Sequence, residues 1–417
     1  MGSQRRAGRT LVTISLDMIQ TLAVGAVALF VGVACVDRAS FLRRYNIPAP
    51  VVGGLLVALL VLVLRESQVT VIAFDTSLQT PLMNAFFTAI GFSASVGLLR
   101  AGSGQALVFL GLAAVLAVVQ ALLGIFSAVI FGQSPLLGVL IGPAALAGGP
   151  ATALAFSPQF AAAGVESAES VAIAAAMAGI VLGGLVGGPI ATRLLERNAL
   201  RSPVSDGVAG HAETAGSSID LDDASVDDEE SAARAVLKAI AVVLVAMGIG
   251  AWLSALLKDA GLTLPGYVGA MIIGAIIRNV DDFSGLIRIP HGITDRIGTV
   301  SLTLFLAVAL MNVKLWELTA VAAPLLVNLV LQVVVIAIFC WAIVFRTMGR
   351  DYDAAVMSGG FTGFMLGTTA NAMAVMRTIV ERFGPAPRAF LIAPIVGAFF
   401  IDFTNAIVIT TFLNIFG

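Results

Sequence analysis

Residues Gly142–Phe156 read GPAALAGGPATALAF, a glycine-glycine-proline break inside an apolar stretch, with Thr152 just beyond it. Pro150 lacks an amide proton and clashes with the preceding turn, while Gly148 and Gly149 free the backbone, so one continuous helix is not expected here. The surroundings decide what the break means. The chain has 417 residues, of which 59% are hydrophobic and 12% charged. Soluble domains carry about 25% charged residues, and the apolar runs here are longer than a core helix needs. The pattern is that of an all-α polytopic membrane protein. In hydrocarbon, unsatisfied backbone N–H and C=O groups are so costly that irregular backbone survives only inside protein or against a water-filled cavity. The break is therefore expected at the tip of a buried re-entrant hairpin that lines a polar cavity.

Working outward, five spans are expected on each side of a polar centre: 16–36, 50–64, 81–98, 107–131 and 171–194, then 233–257, 265–277, 300–313, 320–345 and 390–416. Between the fourth and fifth span of each half lies a glycine-rich apolar segment, 132–160 and 349–376, too broken for a simple span. This divides the chain into a first five-span repeat at 1–201, an acidic linker at 202–231 and a second repeat at 232–417. The linker is acidic, rich in Gly and Ser and free of aromatic residues, as flexible connections are. Pro50-Val51-Val52-Gly53-Gly54 opens the second span and Pro265-Gly266-Tyr267-Val268-Gly269 the seventh, so the halves resemble each other. An odd number of spans per half turns the second upside down, the layout of inverted-repeat transporters. With both termini outside, 17 of the 23 Lys and Arg residues fall on the cytoplasmic side, with the linker. One hairpin then dips from each face.

Freed amides and helix N-termini at such tips attract carboxylates, and freed carbonyls suit sodium. The expected substrate-binding residues are Gly148, Gly149, Pro150, Ala151 and Thr152 at the first tip, and Gly360, Phe361, Thr362 and Gly363 at the second, with Thr368, Thr369 and Asn371 just beyond, placed to hydrogen-bond substrate or to cap the descending limb. Asp402 is the only carboxylate within the last apolar run, and Asn405 shares its helical face. An intramembrane carboxylate wants a cation, so both are expected to bind sodium, with Ser93 and Ser95 of the third span and Asn312 of the eighth as further candidates. The stretch GGLVGGPIA at 183–191 has no polar companion and reads as close helix packing. Cys35 and Cys340 lie in apolar runs and His211 and His291 in polar connections, which supports neither a disulfide nor a transition-metal site. The basic residues are scattered, which argues against nucleic acid. The acidic run DLDDASVDDEE lacks the glycine turn of an EF-hand. The arginines at 5, 6 and 9 imitate a signal peptide, but the apolar run continues to Val36 and reads as a span.

The blocks YNIPAPVVGGLLVALLVLVL, PLMNAFFTAIGFSASVGLLRAG, SLTLFLAVALMNVKLWEL, GRDYDAAVMSGG, TIVERFGP and PIVGAFFIDFTNAIVI resemble the bacterial sodium:glutamate symporter family. The resemblance runs from about Phe41 to the C-terminus, apart from the linker. It implies ten spans with two re-entrant hairpins, sodium as coupling ion with no other cofactor, and uptake of glutamate across the bacterial cytoplasmic membrane. It also implies a homodimer with an elevator-like movement, in which spans three to five and eight to ten move against spans one, two, six and seven. Where the family's first hairpin reads GGHGT, this chain has Gly148-Gly149-Pro150-Ala151-Thr152. Where the second begins with a Gly-His pair, it has Gly360-Phe361. Both hairpins exchange a polar ring for an apolar group, so another small carboxylate or organic anion, coupled to sodium or protons, stays open. An intramembrane enzyme is the remote alternative: Asp281-Asp282 resembles the acidic pair of prenyltransferases but has no second acidic motif, and neither a zinc motif nor a serine–histidine arrangement is present.

Overall fold

The computed structural model describes residues 12–45, 47–97, 103–202, 226–259 and 264–417. The described chain opens with β1 (Val12–Leu16), which leads directly into α1 (Met18–Arg38). Asp17 and Gln20 cap the start of α1 reciprocally, each side chain accepting the other's amide proton. A short α2 (Ser40–Arg44), α3 (Ala49–Glu66), β2 (Thr70–Phe74) and α4 (Gln79–Phe92) follow. Next come α5 (Ser103–Ile130), α6 (Pro135–Val139) running into a π-helical turn at Leu140–Ala144, α7 (Gly149–Ala162) and α8 (Ala168–Arg197). The second half holds α9 (Val226–Asp259), α10 (Gly266–Ser284), α11 (His291–Met311) and α12 (Ala322–Thr347). It ends with α13 (Tyr352–Met365), α14 (Thr369–Phe383), α15 (Pro387–Ile395), a π-helical turn at Val396–Phe400 and α16 (Ile401–Phe416).

Seven of these helices among the described residues, α1, α3, α5, α8, α9, α11 and α12, are long and apolar enough to cross a membrane. The protein is a multi-pass helical membrane protein. Among the described residues, its one departure from helical structure and connecting turns is a parallel pair of strands, with Val12 opposite Thr70 and Leu16 opposite Phe74. Both strands are rich in β-branched residues, VTISL and TVIAF, and adjoin apolar helices, so in the sequence they merge with the spans. Helix α4 stops at Phe92, short of the expected 98, while α10 continues past 277 to Ser284. Asn279 of that extension holds the chain after α4, accepting from the Val96 amide and donating to the Ala94 carbonyl. The expected linker 202–231 falls largely on 203–225, outside the described residues.

Helices α1, α3, α4, α9, α10 and α11 pack on one another, and α5 to α8 pack with α12 to α16. Small residues set the crossings. A Cβ on Gly274 of α10 would stand 2.7 Å from the Thr88 carbonyl of α4, and one on Gly298 of α11 would stand 2.5 Å from the Ala89 Cβ. Substituted side chains would force these axes apart. The third and eighth spans, α4 and α11, thus pack mainly on spans one, two, six and seven, and α11 also touches α7. Aromatic rings bridge the two groups: Phe87 of α4 stacks on Tyr267 of α10 at 3.9 Å between centroids, and Phe156 of α7 meets Tyr267 edge-on at 5.9 Å.

Candidate functional site

The first break is built in two steps. Gly142, inside the turn Leu140–Ala144, has φ −96° and ψ −116°, which releases neighbouring carbonyls from the helical ladder. Asn328 Nδ2 of α12 donates to the Ile141 carbonyl at 2.8 Å, and Asn405 Nδ2 of α16 to the Pro143 carbonyl at 2.9 Å. The chain then reverses at Gly148, and Gly149, at φ +64°, opens α7 in the left-handed region that only glycine enters without strain. Pro150 follows in the first turn of α7, where its missing amide proton costs nothing.

The second break lies at Leu366-Gly367-Thr368. Helix α13 ends at Met365, whose carbonyl accepts from Gln120 Nε2 of α5 at 2.8 Å. Thr368 is extended and caps α14, its hydroxyl accepting from the Asn371 amide at 3.3 Å. Asn371 Nδ2 reaches back to the carbonyls of Ile180 and Gly363. The two tips touch: a Cβ on Gly149 would stand 2.9 Å from Thr368 Cγ2 and 3.0 Å from the Gly367 carbonyl.

Over the meeting point lies a cavity of about 370 Å³. One wall is the pair of tips, with Gly148, Pro150, Ala151 and Thr152 from the first and Gly367, Thr368, Thr369 and Ala370 from the second. Gly397 and Asp402 close the adjoining side, and Phe86, Phe87, Leu302 and Leu306 stand opposite. The N-termini of α7 and α14 converge here, each presenting the positive end of a helix dipole. Among the described residues no Lys, Arg or His lines the cavity, and Asp402 is its one charged group. Thr369 Oγ1 donates to the Gly397 carbonyl at 3.1 Å, which ties the start of α14 to the π-helical turn before Asp402. Such a cavity can take carboxylate groups at the helix ends and a cation at Asp402.

The geometry separates the sequence-derived candidates. Gly148, Pro150, Ala151, Thr152, Thr368, Thr369 and Asp402 line the cavity, and Gly149 forms the contact between the tips. Asn371 and Asn405 are buried beside it and hold backbone carbonyls of the two breaks. Gly360, Phe361, Thr362 and Gly363 are elsewhere, inside the unbroken helix α13 and fully buried. Phe361 packs against Phe109 and Phe339, and the Thr362 hydroxyl donates to the Ser358 carbonyl. The glycines of this helix let it press on its neighbours: a Cβ on Gly359 would meet the Gly187 carbonyl of α8 at 2.9 Å, and one on Gly360 the Met376 side chain of α14. Gly183 and Gly187 make the reciprocal contacts from α8, the close packing expected of that stretch.

Ser93 and Ser95 lie beyond the end of α4, where Ser95 Oγ donates to Asp282 Oδ2 at 2.8 Å. Asn312 ends α11 and lines a different pocket, of about 500 Å³, with Glu169, Ser170, Lys314 and Glu317. The structure brings none of these three to Asp402. Sequence reasoning passed over Gly367, Gly397, Gln120, Asn328 and Gln332. The last three carried a signal, since each is a polar amide within a long apolar run and such residues are functional or bracing.

Two broken helix pairs whose tips meet over a cavity, set in a bundle of apolar helices, define a polytopic membrane protein with a central polar site. Comparison with known sequences narrows this further. The family model described as "Sodium/glutamate symporter" matches residues 14–385. The Sodium/glutamate symporter of Escherichia coli K12 is 40% identical over 404 residues, covering 95% of this chain and 98% of that protein. That of Haemophilus influenzae is 39% identical over 400 residues, covering 95% and 96%. The chain belongs to the sodium/glutamate symporter family.

Proposed function

We propose that the protein is a sodium-coupled symporter of glutamate in a bacterial cytoplasmic membrane, working by alternating access. The observation that carries this reading is the meeting of the N-termini of α7 and α14 over a cavity whose one charged side chain is Asp402. Glutamate's carboxylates bind the freed amides around Gly148–Thr152 and Gly367–Ala370, and Thr152 and Thr368 add hydroxyls. Sodium binds at Asp402, with Asn405 one turn on as its support. The remaining sequence-derived sodium candidates, Ser93, Ser95 and Asn312, serve the ends of α4 and α11 instead.

In this reading α6–α7 and α13–α14 are re-entrant hairpins that enter from opposite faces of two inverted repeats, and both chain termini lie outside. The pocket at Asn312 is then an outer vestibule. A buried apolar layer that includes Val51, Leu154, Phe305, Leu306 and Leu310 lies between that vestibule and the cavity. In this reading the layer closes the site from outside. The moving body is α5 to α8 with α12 to α16, and it slides against α1, α3, α4 and α9 to α11, which also form the homodimer contact.

A second reading rests on the apolar wall. Phe86, Phe87, Leu302 and Leu306 offer no basic partner to a distal carboxylate, which favours a small carboxylate other than glutamate. Uptake of labelled glutamate, aspartate and dicarboxylates into proteoliposomes, under imposed sodium or proton gradients, separates the two. Accumulation of glutamate driven by sodium alone is expected. No sodium-driven accumulation of any carboxylate would sink both readings.

A further inference from the structure

A second cavity, of about 850 Å³ and wholly apolar in its lining residues, runs between α3, α8 and α12. Leu55, Leu56 and Leu59 form one wall, Val181 another, and Val330 and Val334 the third. All three helices are among those long enough to span a membrane, so this slot lies at the depth of the hydrocarbon. It opens sideways: Leu56 is 42% exposed, Val330 64% and Val334 50%. From Val51 to Leu59 it follows α3 for about 12 Å at 1.5 Å rise per residue.

One end of the slot reaches Leu42 and Ile47, at the turn between α2 and α3. There the Tyr45 ring closes onto α8, so that a Cβ on Gly184 would meet it at 3.3 Å. Arg43, next to Leu42 in the chain, and Arg38, at the end of α1 with its Nη1 donating to the Ala34 carbonyl, are both exposed, with Asp37 the acidic neighbour. An aromatic ring and paired arginines at the edge of an apolar slot match the level of lipid headgroups.

We propose that this slot is a binding site for one anionic phospholipid, with an acyl chain between α3, α8 and α12 and its phosphate held by Arg38 and Arg43. Water cannot fill a lining without polar partners, and hydrocarbon can. The basic corner selects an anionic headgroup rather than a zwitterionic one. Because α3 belongs to one packed group of helices and α8 and α12 to the other, the lipid sits in the seam between them. Any sliding of the groups must move along this chain or exchange it.

The test uses the full-length protein reconstituted in equal parts phosphatidylglycerol and phosphatidylcholine, re-extracted in mild detergent, and analysed for retained lipid by native mass spectrometry. Retention of phosphatidylglycerol over phosphatidylcholine is expected. The double variant Arg38→Gln/Arg43→Gln should lower that preference at least fivefold, while Arg65→Gln, at the other end of α3, leaves it unchanged. Val330→Trp and, on the facing wall, Leu56→Trp should each expel the lipid, so the result does not depend on one variant folding. The proposal fails if the native protein shows no headgroup preference, or if Arg65→Gln abolishes it equally. It also fails if Leu56→Cys chains cross-link to each other in the bilayer, which would show that a second copy covers the slot. None of these readouts depends on what the protein transports.

Discussion

At Gly149 two demands coincide, a left-handed backbone and no room for a side chain. Alanine at φ +64° costs about 1–2 kcal/mol, and its methyl would also press on Thr368. Gly149→Ala should therefore cut uptake at least tenfold. Gly132→Ala provides the comparison, because Gly132 has φ +67° but open space around it, so it carries strain alone. Uptake retained by Gly149→Ala would mean that the contact between the tips is dispensable. Asp402 makes a second prediction: Asp402→Asn removes the cavity's only full charge and should raise the sodium concentration for half-maximal uptake at least tenfold, with unchanged protein abundance. An unaltered sodium dependence would leave Asp402 without a role in ion binding. Both residues stood out in the sequence for the same physical reason. A carboxylate in an apolar run and a Gly-Gly-Pro inside a span are each too costly to be incidental.

At the two breaks the chain is held by side-chain amides. Asn328 pairs the carbonyl freed at Ile141, and Gln332 Nε2 donates to the Gln120 carbonyl at 2.9 Å, while Gln120 itself pairs Met365. Asn328→Leu keeps the volume but takes the partner from the buried Ile141 carbonyl, at a cost of about 1–3 kcal/mol. A lower melting temperature in detergent is expected, with Gln120→Leu behaving alike at the other break. If neither variant moves the melting temperature, the breaks stand without these braces. The location of the second break was beyond the reach of the sequence. Gly359, Gly360 and Gly363 have the same composition as a turn, yet they face α8 and α14 and remain helical, whereas Gly367 turns. Only the neighbouring helices distinguish a glycine that admits a neighbour from one that bends the chain.

For the whole molecule, the hydrophobic runs were enough to place a helix at each of the ten expected segments, and among the described residues seven of those helices are long and apolar enough to cross a membrane. Their grouping was not legible, because the contacts of α4 and α11 depend on small residues whose partners lie in distant parts of the chain. The proposed closure of the outer layer makes a prediction at this scale. In a Cys35→Ser/Cys340→Ser background, Asn312→Cys should react with a membrane-impermeant thiol reagent added outside cells. Ala370→Cys, in the cavity wall, should react only with a permeant one until substrate and sodium cycle the protein. Equal reaction of both with the impermeant reagent would mean that the apolar layer around Leu154 and Leu306 does not seal.

The paired strands β1 and β2 bear on how the chain is assembled. They run parallel, β1 leading into α1 and β2 reaching α4 through residues 75–78, so these two helices set out from the same side. The Asp75 amide adds a bond to Thr21 Oγ1 near the start of α1. During synthesis α1 is made before α4, and its leading strand has no β2 to pair with until Thr70–Phe74 has been made. The first helix therefore enters the bilayer untethered, and its depth is fixed only afterwards by a strand that arrives with a later hairpin of helices.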